Sequence, residues 1–72
     1  AADGGDPAAR LRLGRALATT DPAAALHELI TAVREPTTRD DARTAVLELF
    51  DLLGEDHELV RSWRPKLAAA LF

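Results

Sequence analysis

Apolar residues in this chain recur at intervals of three and four positions, a spacing that places them along one face of an α-helix. The clearest stripe of this kind lies in the second half of the chain and consists of Ala42, Ala45, Val46, Leu49, Phe50 and Leu53. Together with comparable stripes in the rest of the chain, it predicts four amphipathic helices. The predicted fold class is therefore all-α.

The first two helices are predicted to begin with the same motif. Asp6-Pro7-Ala8-Ala9 recurs as Asp21-Pro22-Ala23-Ala24. Aspartate can cap the free N–H groups of a first turn, and proline fits the first helical position. The first helix is predicted to end near Thr19, and its inner face consists of Ala9, Leu13, Ala16 and Leu17.

The second helix is predicted to end near Arg34, because Pro36 disfavours the α conformation in the residue before it. Thr38 and Asp41 then resemble a capping box at the start of the third helix. Gly54 ends that helix at a position where a left-handed conformation is accessible to glycine.

Asp56 is predicted to cap the fourth helix, whose inner face includes Leu59, Val60, Trp63 and Leu67. Pro65 interrupts this pattern, because proline in a helix interior removes a hydrogen bond and costs about 3 kcal/mol. We therefore expect a kink or a break at Pro65.

Four helices joined by short loops predict two antiparallel helical hairpins. The first pair carries a repeat-like pattern formed by Leu13-Gly14, Leu17, Ala25, Leu29, Ala32 and Pro36. This pattern resembles the tetratricopeptide repeat, although Arg10 stands where that repeat has an aromatic residue. The resemblance implies a tetratricopeptide-like solenoid terminus over residues 6–72. Residues 1–5 are small and flexible in composition, which predicts a linker or expression remnant.

Composition narrows the possible functions of this 72-residue chain. It has no cysteine, so disulfides and thiol chemistry are excluded, and its net charge of −3 counts against general binding to phosphate backbones. No apolar run reaches the roughly 20 residues that cross a bilayer, and no secretory signal is visible. We expect a cytoplasmic protein without membrane contact, and the absence of methionine suggests a piece of a longer chain.

A second resemblance covers most of residues 39–72. Its motifs are Asp41-Ala42-Arg43, Leu47-Glu48-Leu49-Phe50, Leu53-Gly54-Glu55-Asp56, Leu59-Val60-Arg61-Ser62-Trp63-Arg64 and the final Lys66 to Phe72. They resemble the C-terminal end of bacterial thioredoxin-like co-chaperones that carry tetratricopeptide repeats. Trp63 stands where that family usually has tyrosine, and Pro65 stands where it usually has a second basic residue.

This resemblance implies a parent protein with an N-terminal thioredoxin fold and a holdase function. The implied partners are unfolded client proteins, a chaperone or a second copy of the chain. A homodimer would form through the first two helices, whose outer faces pack on a preceding repeat in a longer solenoid. The function implied is protein–protein interaction, with no bond made or broken.

Candidate catalytic and metal-binding residues do not form a recognisable site. His27-Glu28 opens like a zinc-protease motif, but the second histidine would have to stand at Thr31. His57 has no partner at metal-ligand spacing. Ser62 lies within a predicted helix, without the strained turn and adjacent base of a nucleophile. We therefore predict no enzyme activity, no cofactor and no metal.

Charged residues are predicted to form solvated helix surfaces. The acidic set consists of Glu48, Asp51, Glu55, Asp56 and Glu58, and it lacks the loop spacing of a calcium site. The basic set consists of Arg10, Arg12 and Arg15 on the first helix and Arg61, Arg64 and Lys66 on the fourth. The alternative function is a helical accessory or oligomerisation domain of a nucleic-acid-binding regulator, which would use these cations.

The predicted structural core draws large apolar residues from all four helices. It consists of Leu13, Leu17, Leu26, Leu29, Val46, Leu49, Phe50, Leu59, Trp63 and Leu67. Trp63 is expected to pack against the third helix at Val46, Leu49 or Phe50, with an exposed client-binding role as the alternative.

Overall fold

The computed structural model describes residues 6–72, which fold into four α-helices: α1 (Pro7–Leu17), α2 (Pro22–Val33), α3 (Arg39–Leu53) and α4 (Glu58–Leu71). No strand occurs within this part of the chain, so the all-α prediction is confirmed. The linker predicted at residues 1–5 lies outside the described residues. None of the four described helices is long and apolar enough to cross a bilayer.

Helix α2 is the central element of the fold. It packs against α1, α3 and α4, while α3 also touches both α1 and α4. The short loops make two helical hairpins, α1 with α2 and α3 with α4, as the sequence predicts. Because every other helix rests on α2, its residues Ala25, Leu26, Ala32 and Val33 are fully buried.

The repeated Asp-Pro motif starts both helices of the first hairpin as predicted. The Asp6 carboxylate accepts a hydrogen bond from the N–H of Ala8 at 3.0 Å. The Asp21 carboxylate accepts one from the N–H of Ala24 at 3.2 Å. In each case a side-chain oxygen satisfies an N–H that has no partner within the helix.

The capping box predicted at Thr38 is wrong. Thr38 precedes α3, but its side chain makes no cap hydrogen bond. Its hydroxyl instead donates to the carbonyl oxygen of Ala32 at 2.7 Å, and Thr38 is buried. The guanidinium of Arg39 also donates to the carbonyl oxygen of Val33, at 3.4 Å. The start of α3 therefore adds hydrogen bonds to carbonyl groups at the end of α2, where the regular helical pattern of partners stops.

The turn between α3 and α4 follows the prediction at one residue and departs from it at another. Gly54 ends α3 with φ 94°, a conformation that favours glycine, and its N–H donates to the carbonyl oxygen of Phe50 at 2.8 Å. The cap of α4 is His57 and not Asp56, because the His57 ring Nδ1 accepts from the N–H of Leu59 at 3.0 Å. The Asp56 side chain is fully exposed.

Of the kink or break expected at Pro65, the break does not occur, because α4 continues from Glu58 to Leu71. Pro65 lies on the exposed side of the helix, where water can hydrate the carbonyl of Arg61 that lost its helical donor. On the opposite side, Val60 and Leu67 are buried and hold the helix against its neighbours on both sides of the proline.

The buried cluster contains six of the ten predicted core residues, namely Leu26, Leu29, Val46, Leu49, Phe50 and Leu67. Leu17, Leu59 and Trp63 are partly buried and pack against it. Leu13 does not belong to this core, since its exposed fraction is 47%. The face of α1 that meets α2 is centred on the buried Gly14, so Leu13 lies about one residue position, roughly 100°, away from it.

Trp63 packs, partly buried, against the core cluster, and it also contacts a helix that the sequence did not indicate, α2. Its ring meets the ring of His27, on α2, edge to face, with a centroid separation of 6.4 Å and an interplanar angle of 78°. Because α4 packs on α2 as well as on α3, the side of α4 that carries Trp63 is turned toward α2.

Candidate protein-docking groove

An open groove of about 180 Å³ lies between α1 and α3, above α2. Its lining combines small and apolar residues with one cation and one anion. These residues are Arg15, Ala18, Leu29, Ala45, Glu48, Leu49 and Leu52. Three helices therefore contribute to one concave surface.

The floor of the groove depends on the close approach of α1 to α2. Gly14 faces Leu29, and a Cβ added to Gly14 would lie 2.6 Å from both Cγ and Cδ2 of Leu29. Such a separation is shorter than atoms tolerate, so only glycine permits this packing. Leu29 is 1% exposed and is held between the helices.

The α3 wall of the groove presents residues spaced three and four apart. Ala45 and Leu49 are buried and continue the apolar floor, whereas Leu52 stands at the edge with 64% of its surface exposed. Residues at this spacing lie on one side of a helix. The groove therefore changes from a buried apolar floor to an accessible leucine along a single helix face.

Opposite charges stand on the two walls of the groove. Arg15 lies on α1 and Glu48 lies on α3, and both are exposed. Neither takes part in the ion pairs found among the described residues. An extended peptide carries backbone donors and acceptors along its length, and such groups can pair with both walls.

The residues considered for catalysis or metal binding have local roles or are exposed. His27 is exposed on α2 and contacts Trp63 through its ring. His57 caps α4, and Ser62 is exposed on the surface of α4. Within residues 6–72, no three histidine, aspartate or glutamate side chains come together as metal ligands could.

The five acidic residues singled out in the sequence are exposed: Glu48, Asp51, Glu55, Asp56 and Glu58. Asp56 forms an ion pair with Arg61 at 3.9 Å, with both side chains largely in solvent. An exposed pair at that distance contributes little to stability. The acidic residues therefore lie on solvated surfaces of the helices and turns.

The two predicted basic patches are each divided by the fold. Arg10 reaches from α1 to Glu28 on α2, where the two side chains form an ion pair at 3.2 Å. On α4, Arg64 lies over the ring of Phe50, 5.9 Å from its centroid. Lys66 lies over the ring of Trp63, 4.2 Å from its centroid. Arg64 and Lys66 thus border different surfaces.

Sequence reasoning missed the groove, and in particular Leu52. The signal in the sequence was an apolar residue outside the buried stripe of α3, next to Leu53. A single exposed leucine is common on protein surfaces. In the fold, Arg15 of α1 and Ala18, the residue after α1, lie beside Leu52, an arrangement that the sequence does not show.

Comparison with known proteins identifies the repeat. A family model described as Tetratricopeptide repeat matches residues 1–72. Neither the curated proteins nor the solved structures contain a significant match. Repeats of this kind generally mediate protein–protein interaction and are generally not catalytic. The close contact of Gly14 with Leu29 lies in the hairpin that carries the repeat-like pattern. The chain belongs to the tetratricopeptide repeat family.

Proposed function

We propose that the chain binds extended segments of unfolded proteins in the groove between α1 and α3, as the terminal repeat region of a thioredoxin-like co-chaperone. The observation that carries this proposal is the position of Leu52. Its side chain is 64% exposed and continuous with an apolar floor formed by Ala45 and Leu49. Unfolded proteins expose apolar side chains that folded proteins bury, and such a surface selects for them.

The expected contribution of Leu52 to binding follows from its exposed area. Complete burial of a leucine side chain contributes about 1.5–3 kcal/mol. Because roughly two thirds of Leu52 is accessible, its burial by a client contributes about 1–2 kcal/mol. Arg15 and Glu48 then orient the client through polar groups on the two walls.

The co-chaperone part of the proposal rests on the resemblance of residues 39–72 to the end of that family. It includes a cytoplasmic location and three kinds of partner: unfolded clients, a chaperone and a second copy. A second copy is included because Leu13 leaves an exposed apolar side chain on the first hairpin. No observation favours the nucleic-acid-regulator alternative, since the cations of α4 border separate surfaces.

The proposal is tested by measuring how well the chain delays the aggregation of reduced insulin, followed by light scattering. The chain has no cysteine, so the reductant that unfolds insulin leaves it unchanged. Leu52→Ser should weaken the apparent affinity for the client by about five- to thirtyfold, the ratio that corresponds to 1–2 kcal/mol.

Leu47→Ser is the matched control for this experiment. Leu47 lies on the same helix, is 42% exposed and does not line the groove. It should therefore retain the activity of the unaltered chain. Equal loss of activity in the two variants would overturn the assignment of the groove, and the absence of any delay by the unaltered chain would overturn the holdase function.

A further inference from the structure

A second concave surface lies between α2 and α4. It has a volume of about 300 Å³ and shares no lining residue with the groove between α1 and α3. Its lining includes His27, Ile30 and Arg34 from the α2 side and Trp63, Lys66 and Ala69 from α4. We call this surface the α2–α4 pocket.

The charge of the α2–α4 pocket differs in sign from that of the whole chain. Arg34 and Lys66 are both cationic at neutral pH, and no acidic side chain lines the pocket. The nearby carboxylate of Glu28 is engaged by Arg10 of α1 at 3.2 Å. The ion pairs found among residues 6–72 include neither Arg34 nor Lys66. A locally positive pocket therefore exists on a chain of net charge −3.

The aromatic wall of the pocket holds one of these cations in place. The Lys66 ammonium lies 4.2 Å from the centroid of the Trp63 ring, a distance at which the ring attracts a cation. The edge-to-face contact with His27 fixes the ring from the α2 side. Trp63 is only partly buried, so part of its surface faces the pocket together with the ammonium group.

One polar side chain of the pocket lining, Thr31, already has a hydrogen-bond partner within α2. The Thr31 hydroxyl donates to the carbonyl oxygen of His27 at 3.0 Å, within the helix. Ile30 is buried at the base of the pocket, and Ala69 is exposed on its α4 side. The pocket thus offers an apolar and aromatic surface beside two positive charges.

From this arrangement we propose that the α2–α4 pocket docks an acidic peptide segment of a protein partner. Its carboxylates meet Arg34 and Lys66, and a neighbouring apolar side chain lies on Trp63. A volume near 300 Å³ is at the small end of binding pockets, which suits one or two side chains. A nucleic acid fits this surface poorly, because two cations on a negatively charged chain cannot follow a phosphate backbone.

The experiment uses a ten-residue peptide of alternating glutamate and leucine, and a control peptide with glutamine in place of each glutamate. Trp63 is the only tryptophan in the chain, so its fluorescence reports binding at this pocket directly. The glutamate peptide should change the emission, and added salt should weaken binding because it screens exposed charges.

Two variants and one control variant assign the binding to the pocket. Arg34→Gln and Lys66→Gln should each weaken binding of the glutamate peptide by about two- to fivefold, the effect of an exposed charge pair. Arg43→Gln makes the same charge change at an exposed position on α3, outside the pocket, and should leave binding unchanged. All three positions are exposed, so each variant should retain the circular dichroism of the unaltered chain.

Several results would overturn the proposal. Equal binding of the glutamine peptide would show that the pocket does not recognise carboxylates. Equal weakening by Arg43→Gln would show that the peptide does not bind in the pocket. Tighter binding of oligothymidylate than of the glutamate peptide would assign the surface to nucleic acid. A Trp63 emission that shifts with the concentration of the chain alone, and is lost in Arg34→Gln, would assign it to a second copy.

Discussion

The hydroxyl of Thr38 links the two hairpins through its 2.7 Å hydrogen bond to the carbonyl oxygen of Ala32. Thr38→Val removes that bond at nearly constant volume and should lower the free energy of unfolding by about 0.5–1.5 kcal/mol. The Ala32 carbonyl keeps a second bond, from the N–H of Glu35 at 3.2 Å, so the loss should lie toward the low end. Thr37→Val is the matched control, since Thr37 is exposed. Equal urea midpoints for the two variants would contradict this account.

Gly14 provides a second test at the residue scale. Alanine has a higher helix propensity than glycine by about 1 kcal/mol. If nothing packed against position 14, Gly14→Ala would therefore stabilise α1. The added Cβ, however, would lie 2.6 Å from two atoms of the buried Leu29, and overpacking of this kind costs about 1–3 kcal/mol. We therefore expect a lower free energy of unfolding, measured in urea. Client binding should also weaken, because Leu29 forms the floor of the groove. A variant at least as stable as the parent would show that α1 and α2 pack less closely than the Gly14–Leu29 contact indicates.

Individual residues explain which features could be read from the sequence. Asp6, Asp21 and Gly54 act through their own backbone surroundings, so their roles at helix ends were predictable. Thr38 was misassigned because its hydroxyl satisfies the preceding helix, a choice that depends on how the two helices meet. His57 takes the place of the adjacent Asp56 as the cap, because its ring Nδ1 accepts from the N–H of Leu59.

At the scale of helices, periodicity identified an apolar face but not the helix that would cover it. The stripe of α3 is rich in large residues, and it was located correctly. Helix α1 contains many alanines, and glycine offers no side chain to count, so the face centred on Gly14 could not be distinguished from one containing Leu13. The pairing of Trp63 with α2 likewise required knowledge of the packing of α4.

Pro65 gives a prediction at the same scale. Pro65→Ala restores an N–H donor in the interior of α4, where proline costs about 3 kcal/mol. Proline also restricts the unfolded chain, which offsets about 0.4–1 kcal/mol of that gain. The variant should therefore be more stable by about 2–3 kcal/mol, seen as a higher thermal midpoint. Ser62→Ala, at another exposed position of α4, should change stability by less than about 0.5 kcal/mol. A variant no more stable than the parent would contradict the free-energy cost assigned to Pro65.

At the scale of the whole fold, residues 6–72 form a thin layer of helices, with principal extents of 37 × 28 × 15 Å. One helix, α2, forms the base of both concave surfaces through different residues: Leu29 in the groove, and His27 and Ile30 in the α2–α4 pocket. The two proposed partners are therefore assigned to separate surfaces, an apolar groove and a basic pocket, which share no lining residue. Neither surface was visible in the sequence, because each is assembled from helices that are distant along the chain.

Client binding in the groove between α1 and α3 can be tested by mapping the client contacts with nuclear magnetic resonance. The isotope-labelled chain would be titrated with unlabelled, reduced insulin B chain, and the amide shifts would be followed residue by residue. The largest shifts are expected at Arg15, Ala18, Glu48 and Leu52, on the walls of the groove, with little change at Thr31 and Ala69. Shifts spread evenly over the four helices, or concentrated away from α1 and α3, would contradict client binding in this groove.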